Sequence, residues 1–324
     1  MKRVNIITFY NAKNHGAFLQ AYALMKFLRI NGYDVSFKGM KIEHEKVEDE
    51  YISQLNSILE ESQKLLPLDW SNDDYDISIV GSDEVFNFNN RTYSKFPYYK
   101  GSNLDTERII SNAASIGAAK YKKLILKHFF KYCNLRKFDA ISVRDKRTEA
   151  FVKHFYKKNI YVDVDPTLLV NFDSEMIIPK FRNYVLVYTY GMKNEHIQYI
   201  KRFAKEKGLE IVATGAYCSW CEKNLAVSPF EWVGLVKYAD YIFTSTFHGT
   251  IFSLKYQKQF VALVDNAKKV KELLEMFGLS ERYCQTINSN EIADLVETKI
   301  DYNKFNLDYY IKKSQDHLLG MLGR

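Results

Sequence analysis

The chain is 324 residues long, with 47% apolar and 26% charged side chains and a formal net charge of +7 (46 Lys+Arg against 39 Asp+Glu). At roughly 150 residues per domain this makes about two globular domains, and only 14 Gly and 5 Pro exclude a collagenous or disordered chain. No apolar run reaches the roughly 18 residues of a membrane-spanning helix, the run behind Met1-Lys2-Arg3 is too short for a signal peptide, and four scattered Cys fit a reducing, cytoplasmic setting.

Apolar periodicity predicts a strand at 4–9, a helix over 16–30 that stops at Asn31-Gly32, and a strand at 35–37. Strands follow at 76–80, 108–113, 140–143 and 160–164, with a helix over 146–155. A second series opens with a strand at 184–190, then a helix over 195–207 and a strand at 209–213. Helices over 230–238 and 248–256 alternate with strands at 241–244 and 260–264, and 270–277, 292–299 and 303–322 read helical. Short strands alternating with helices of this kind imply parallel sheets covered on both faces. The fold class is therefore α/β, with two Rossmann-like, doubly wound domains facing a central cleft. The pattern breaks at 170–182, which divides the chain into 1–172 and 173–302.

The positive surplus is scattered. The basic stretches 120–127 and 153–158 interleave with apolar residues at helical spacing and read as solvated helix faces, so nucleic acid is not an expected partner. No segment stands out as an amphipathic membrane anchor.

Ligands of open parallel sheets bind beyond the C-terminal strand ends. Five such junctions are polar or small: 11–16, 81–84, 115–117, Arg144-Asp145, and Ser245-Thr246-Phe247-His248-Gly249-Thr250. None is a phosphate loop or a dinucleotide fingerprint. Cys218-Ser219-Trp220-Cys221 lacks a second pair, so no metal is expected. At the last junction Gly249 admits close backbone approach, and the following helix start favours an anion. His248 there either exchanges a proton or simply caps and packs. Arg144 either clamps a carboxylate or phosphate, or pairs with Asp145 or Glu149. Asp83 and Glu84 are candidate bases, although Asp83 reads better as a helix cap. Asp165-Pro166 reads as a turn into the interdomain link.

The stretches Asn14-His15-Gly16-Ala17, Val80-Gly81-Ser82-Asp83-Glu84-Val85-Phe86-Asn87, Ala114-Ser115-Ile116-Gly117, Ile141-Ser142-Val143-Arg144-Asp145, Asp165-Pro166-Thr167-Leu168 and Thr244-Ser245-Thr246-Phe247-His248-Gly249 occur in this order. Together they resemble the polysaccharide pyruvyl transferase family. That resemblance implies a fold like the two-Rossmann glycosyltransferases, with the first domain on the acceptor side, the second on the donor side, and a terminal helix at 303–324 returning to the first domain.

It also implies phosphoenolpyruvate as donor, no cofactor, and a sugar or lipid-linked oligosaccharide as acceptor, with peripheral contact at the inner membrane face. His248 would be the general acid and Arg144 would hold the donor's charge. Ser245, Thr246, Gly249, Thr250 and Lys269 would bind the donor. Asn14, Gly16, Ser82, Asp83, Glu84, Asn87 and Ser115 would line the acceptor side of the cleft. Glu84 and Phe86 stand where the family usually has Gln and Trp, Thr246 where it has Ser, and Lys268, Lys269 and Lys271 where many relatives carry an Arg. The competing readings are a nucleotide-sugar glycosyltransferase and a non-catalytic glycan-binding relative. The first needs a nucleotide-base pocket that the sequence does not show; the Lys-for-Arg change motivates the second.

Overall fold

The computed structural model describes residues 1–41, 48–71, 74–92, 94–264, 268–285 and 294–323. Its first sheet contains β1 (Arg3–Ile7), β2 (Asp34–Lys38), β3 (Leu68–Asp69), β4 (Tyr75–Val80), β5 (Thr106–Ala114), β6 (Ala140–Val143) and β7 (Ile160–Val162). The second contains β8 (Tyr184–Tyr188), β9 (Glu210–Thr214), β10 (Lys223–Asn224), β11 (Tyr241–Thr244), β12 (Gln259–Leu263) and β13 (Tyr283–Cys284). The orders are β3-β2-β1-β4-β5-β6-β7 and β10-β9-β8-β11-β12-β13. Every pairing among them is parallel, as in Val4↔Val35 on one side of β1 and Val4↔Ile77 on the other.

Central strands covered on both faces need apolar residues on both, and β8 is buried at all five positions. Strand order reverses between β1 and β4 in one sheet and between β8 and β11 in the other. These two switch points are where an open α/β sheet leaves a crevice.

The helices are α1 (His15–Ile30), α2 (Glu50–Gln63), α3 (Tyr121–Cys133), α4 (Lys146–Val152), α5 (Asn194–Lys207), α6 (Pro229–Tyr238), α7 (Phe247–Lys255), α8 (Lys268–Met276) and a terminal helix (Leu307–Met321). α1 lies between the halves. Its Phe18 and Tyr22 pack edge-on against Phe230 of α6, with ring centroids 5.8 and 5.1 Å away. Lys26 pairs with Glu175 at 2.8 Å. One apolar core accordingly runs through both halves, and a smaller one lies around Val185, Ile200 and Phe243 of the second. The terminal helix is tied to the first half: Ser314 Oγ accepts from the Val164 amide at 3.0 Å, and His317 Nδ1 lies 2.7 Å from Asp163.

Several local expectations change. α4 ends at Val152, short of 155, where the chain tightens into i→i−3 turns, the His154 amide donating to the Phe151 carbonyl at 3.2 Å and the Phe155 amide to that of Val152 at 2.9 Å. The basic run 153–158 therefore follows a helix instead of covering its face. No helix follows Asp83, so it caps none; its carboxylate accepts the Glu84 amide at 2.9 Å. Residues 292 and 293 of the helix expected at 292–299 lie outside the described residues, and 294–297 are helical.

Candidate active site

Gly16 and His248 meet where the loops of the two switch points face each other. The Thr246 hydroxyl caps α7 by accepting the Gly249 amide at 2.9 Å. That leaves the Phe247 and His248 amides without an intrahelical acceptor and places His248 in the first turn. The imidazole lies against Gly16, where any Cβ would collide with Nδ1. Glycine is required there for space.

The other ring nitrogen, Nε2, is buried without a hydrogen-bond partner among the described residues and lies 3.8 Å from Asp165 Oδ2. Asp165 is itself buried at the end of the β7 segment. Its Oδ1 accepts from the Thr167 amide and hydroxyl at 3.1 and 2.8 Å. Its Oδ2 accepts from Arg144 Nη1 at 2.8 Å. Arg144 Nη2 reaches Asp83 at 3.5 Å, and the guanidinium lies 4.2 Å from the centre of the Phe247 ring. One carboxylate thus holds both the arginine and the histidine.

The charges are mutually tuned. Burial lowers the His248 pKa below its ordinary 6.5, and Asp165 and Asp83 offset this only in part. Burial alone would raise the Asp165 pKa, but His248 and Arg144 bring it below the usual value. For Arg144, Asp165 and Asp83 outweigh burial and raise its pKa. The resting imidazole is therefore neutral near pH 7, beside a fixed ion pair.

Across the cleft, Lys269 of α8 pairs with Glu84 at 3.2 Å. Asn87 donates to the same carboxylate at 3.2 Å, which packs on Gly117, leaving no room for a Cβ there. A cavity of about 450 Å³ opens beside this cluster, lined by Arg144, Asp165, Phe247, Lys269 and Leu273 among others.

A family model described as polysaccharide pyruvyl transferase matches residues 14–266. The chain belongs to this family. Among curated proteins, none is significantly similar in sequence. In fold this pyruvyl transferase family member is similar to a UDP-GlcNAc 2-epimerase from Methanocaldococcus jannaschii, with a TM-score of 0.61 at 11% identity over 99% of both chains. It is also similar to a UDP-GlcNAc 2-epimerase from Neisseria meningitidis, with a TM-score of 0.56 at 10% identity over 99% of both chains. A third, a UDP-N-acetylglucosamine 2-epimerase from Rickettsia bellii, has a TM-score of 0.57 at 10% identity over 99% of this chain and 96% of the other. At such identity the likeness concerns the fold, which is GT-B.

Within the family member, the sequence-named residues divide into two groups. His248 packs on Gly16 and faces Asp165, Arg144 reaches Asp165 and Asp83, and Glu84 ties Asn87 to Lys269; of these, Arg144 and Lys269 line the cavity. Ser245 is half-buried at the rim, its hydroxyl 2.7 Å from that of Thr189 at the end of β8. Ser82 and Ser115, expected to line the acceptor side of the cleft, and Thr250, expected to bind the donor, are corrected by the structure, because their hydroxyls turn inward. They donate to Gln20 at 2.8 Å, to Asp145 at 2.8 Å and to the Thr246 carbonyl at 2.9 Å. Asn14 and Thr246 are helix caps, and Gly249 packs on the Thr244 hydroxyl. Arg144 pairs with neither Asp145 nor Glu149.

Asp165 was missed. Its place just beyond β7 carried the same strand-end signal as Arg144 beyond β6, but the following proline read as a turn. Cys218 and Cys221 are free, buried thiols, and no group of three or more metal-ligating side chains occurs among the described residues.

Proposed function

We propose that this protein transfers the pyruvyl unit of phosphoenolpyruvate onto two hydroxyls of a sugar as a ketal, releasing phosphate. The observation that carries this reading is the buried Asp165 carboxylate beside the cavity, which pairs with the Arg144 guanidinium and faces the His248 imidazole at 3.8 Å. In the proposed cycle Arg144, the free amides at the start of α7 and Lys269 offset the donor's carboxylate and phosphate charges. A dianionic donor also favours the imidazolium, loading His248 with a proton despite its burial. Asp165 faces Nε2 and stabilises the imidazolium by its charge, which leaves Nδ1, the nitrogen beside Gly16, to deliver its proton to the methylene carbon.

The neighbouring carbon then takes a first sugar hydroxyl. Cleavage of its bond to the phosphate oxygen, attack by the second hydroxyl and loss of both hydroxyl protons complete the ketal. One of those protons reloads His248 and the other leaves with phosphate.

The test pairs thermal-shift titration with phosphate release. Phosphoenolpyruvate should raise the melting temperature by mass action, UDP-sugars should not, and phosphate should appear only with a competent glycan. A shift with UDP-sugar and none with phosphoenolpyruvate would replace this reading with nucleotide-sugar chemistry.

A further inference from the structure

The basic stretch 120–127 reads as a solvated helix face, and in the structure that face also carries large exposed apolar side chains. α3 holds Leu124, His128 and Tyr132 inward, Tyr132 stacking on Phe88 with centroids 4.5 Å apart, so its orientation is fixed. The outward side presents Leu126 at 86% and Phe130 at 85% exposure, with Phe129 half out and leaning on Phe155. Lys122, Lys123 and Lys127 surround these side chains, and Arg136 and Lys137 follow in the next turn, all exposed. Among the described residues none of these five cations is paired with a carboxylate.

Bulky apolar tips ringed by unpaired cations suit an interface in which an apolar layer lies beneath negative charge. We infer that α3 docks the protein on an anionic lipid bilayer, with Leu126 and Phe130 entering the acyl boundary and the lysines meeting the headgroups. α3 has 13 residues and is kinked at His128, so it is too short to span a bilayer and would lie along the surface with Leu126 and Phe130 on either side of the kink. A second copy of the chain is the poorer occupant, because a twofold contact would set the same lysines against each other.

The experiment is co-sedimentation of the full chain with phosphatidylcholine vesicles, with and without phosphatidylglycerol. Neither donor nor acceptor is added, so the result is independent of the transfer chemistry proposed above. Binding should require phosphatidylglycerol and weaken with salt. The pair Leu126→Ser with Phe130→Ser should reduce it about tenfold or more. Each of Lys122→Gln, Lys123→Gln and Lys127→Gln should reduce it about fivefold. Unchanged circular dichroism and an unchanged melting temperature would show that the variants are folded. Equal binding by wild type and variants, no preference for phosphatidylglycerol, or a wild-type dimer that the apolar pair dissociates would each overturn the inference.

Discussion

His15 opens α1, His248 lies in the first turn of α7, and both adjoin Gly16, yet their surroundings differ in kind. His15 is fully buried and both its nitrogens are engaged by the other half of the molecule. Nε2–H donates to the Val227 carbonyl at 2.9 Å, and Nδ1 accepts from the Tyr188 hydroxyl at 3.4 Å. Its ring stacks on Trp232 with centroids 5.6 Å apart. His248 keeps 12% of its side chain exposed and faces Asp165 with an unbonded Nε2. Burial lowers the pKa of both. What separates the two histidines is unspent hydrogen-bonding capacity beside a charged partner, which is why the chemistry is proposed for His248 and not for His15.

The largest effect that would break this contrast belongs to His248. His248→Ala should cost about 10²–10⁴ in kcat, the usual span for a general acid, while leaving the melting temperature close to wild type. In the proposed cycle the ring acts protonated, and in the free protein burial holds its pKa below 6.5. Accordingly kcat/KM should fall as pH rises through that pKa, while kcat should hold to higher pH because the bound donor favours the imidazolium. Equal turnover in wild type and variant would remove His248 from the chemistry.

Arg144→Ala comes next, and its first readout is stability. Removing the guanidinium leaves the buried Asp165 carboxylate with no strong counter-charge, a loss of about 3–5 kcal/mol in denaturant unfolding. A variant as stable as wild type would mean that the ion pair contributes nothing to the fold.

The contrast also shows what the sequence can and cannot tell. Alternating strands and helices made both sheets legible, since β1, β6, β8 and β11 are apolar runs cut by polar strand ends. β3, β10 and β13 are two residues long, too short to carry an alternation. α2 was overlooked although Ile52, Leu55 and Leu59 recur at helical spacing. At the site, strand ends pointed to His248 and Arg144. Asp165 emerged only from tertiary proximity, because its partners come from 21 and 83 residues away in the chain. Likewise nothing local says that the hydroxyls of Ser82 and Ser115 turn inward.

A smaller effect sharpens the other side of the comparison. His15 is held near a pKa of about 4, chiefly by burial, against 6.5 for an ordinary histidine. Between those values the unfolded chain binds the proton and the folded chain does not, so stability rises with pH across the window and falls on acidification. That difference amounts to about 3 kcal/mol. His15→Gln should be less stable at pH 7.5 but lose less than wild type between pH 6.5 and 4, measured by urea unfolding. Parallel pH profiles would show that His15 is not the group responsible.

The smallest effect concerns two of the departures from the family pattern, Glu84 and Lys269, which the structure joins in one ion pair across the cleft. Both side chains are partly exposed, so the pair adds at most about 1 kcal/mol to stability. Its consequence is for binding: while Lys269 is engaged by Glu84, part of its charge is spent inside the protein. Glu84→Gln keeps the shape, retains an acceptor for Asn87 and frees the ammonium for an anionic ligand. Affinity for phosphoenolpyruvate, read as KM in the phosphate-release assay, should improve several-fold, and Lys269→Met should weaken it by a comparable factor. In the double variant the benefit of Glu84→Gln should vanish, because it acts through Lys269. An unchanged benefit in the double variant would place the effect of Glu84 elsewhere in the cleft.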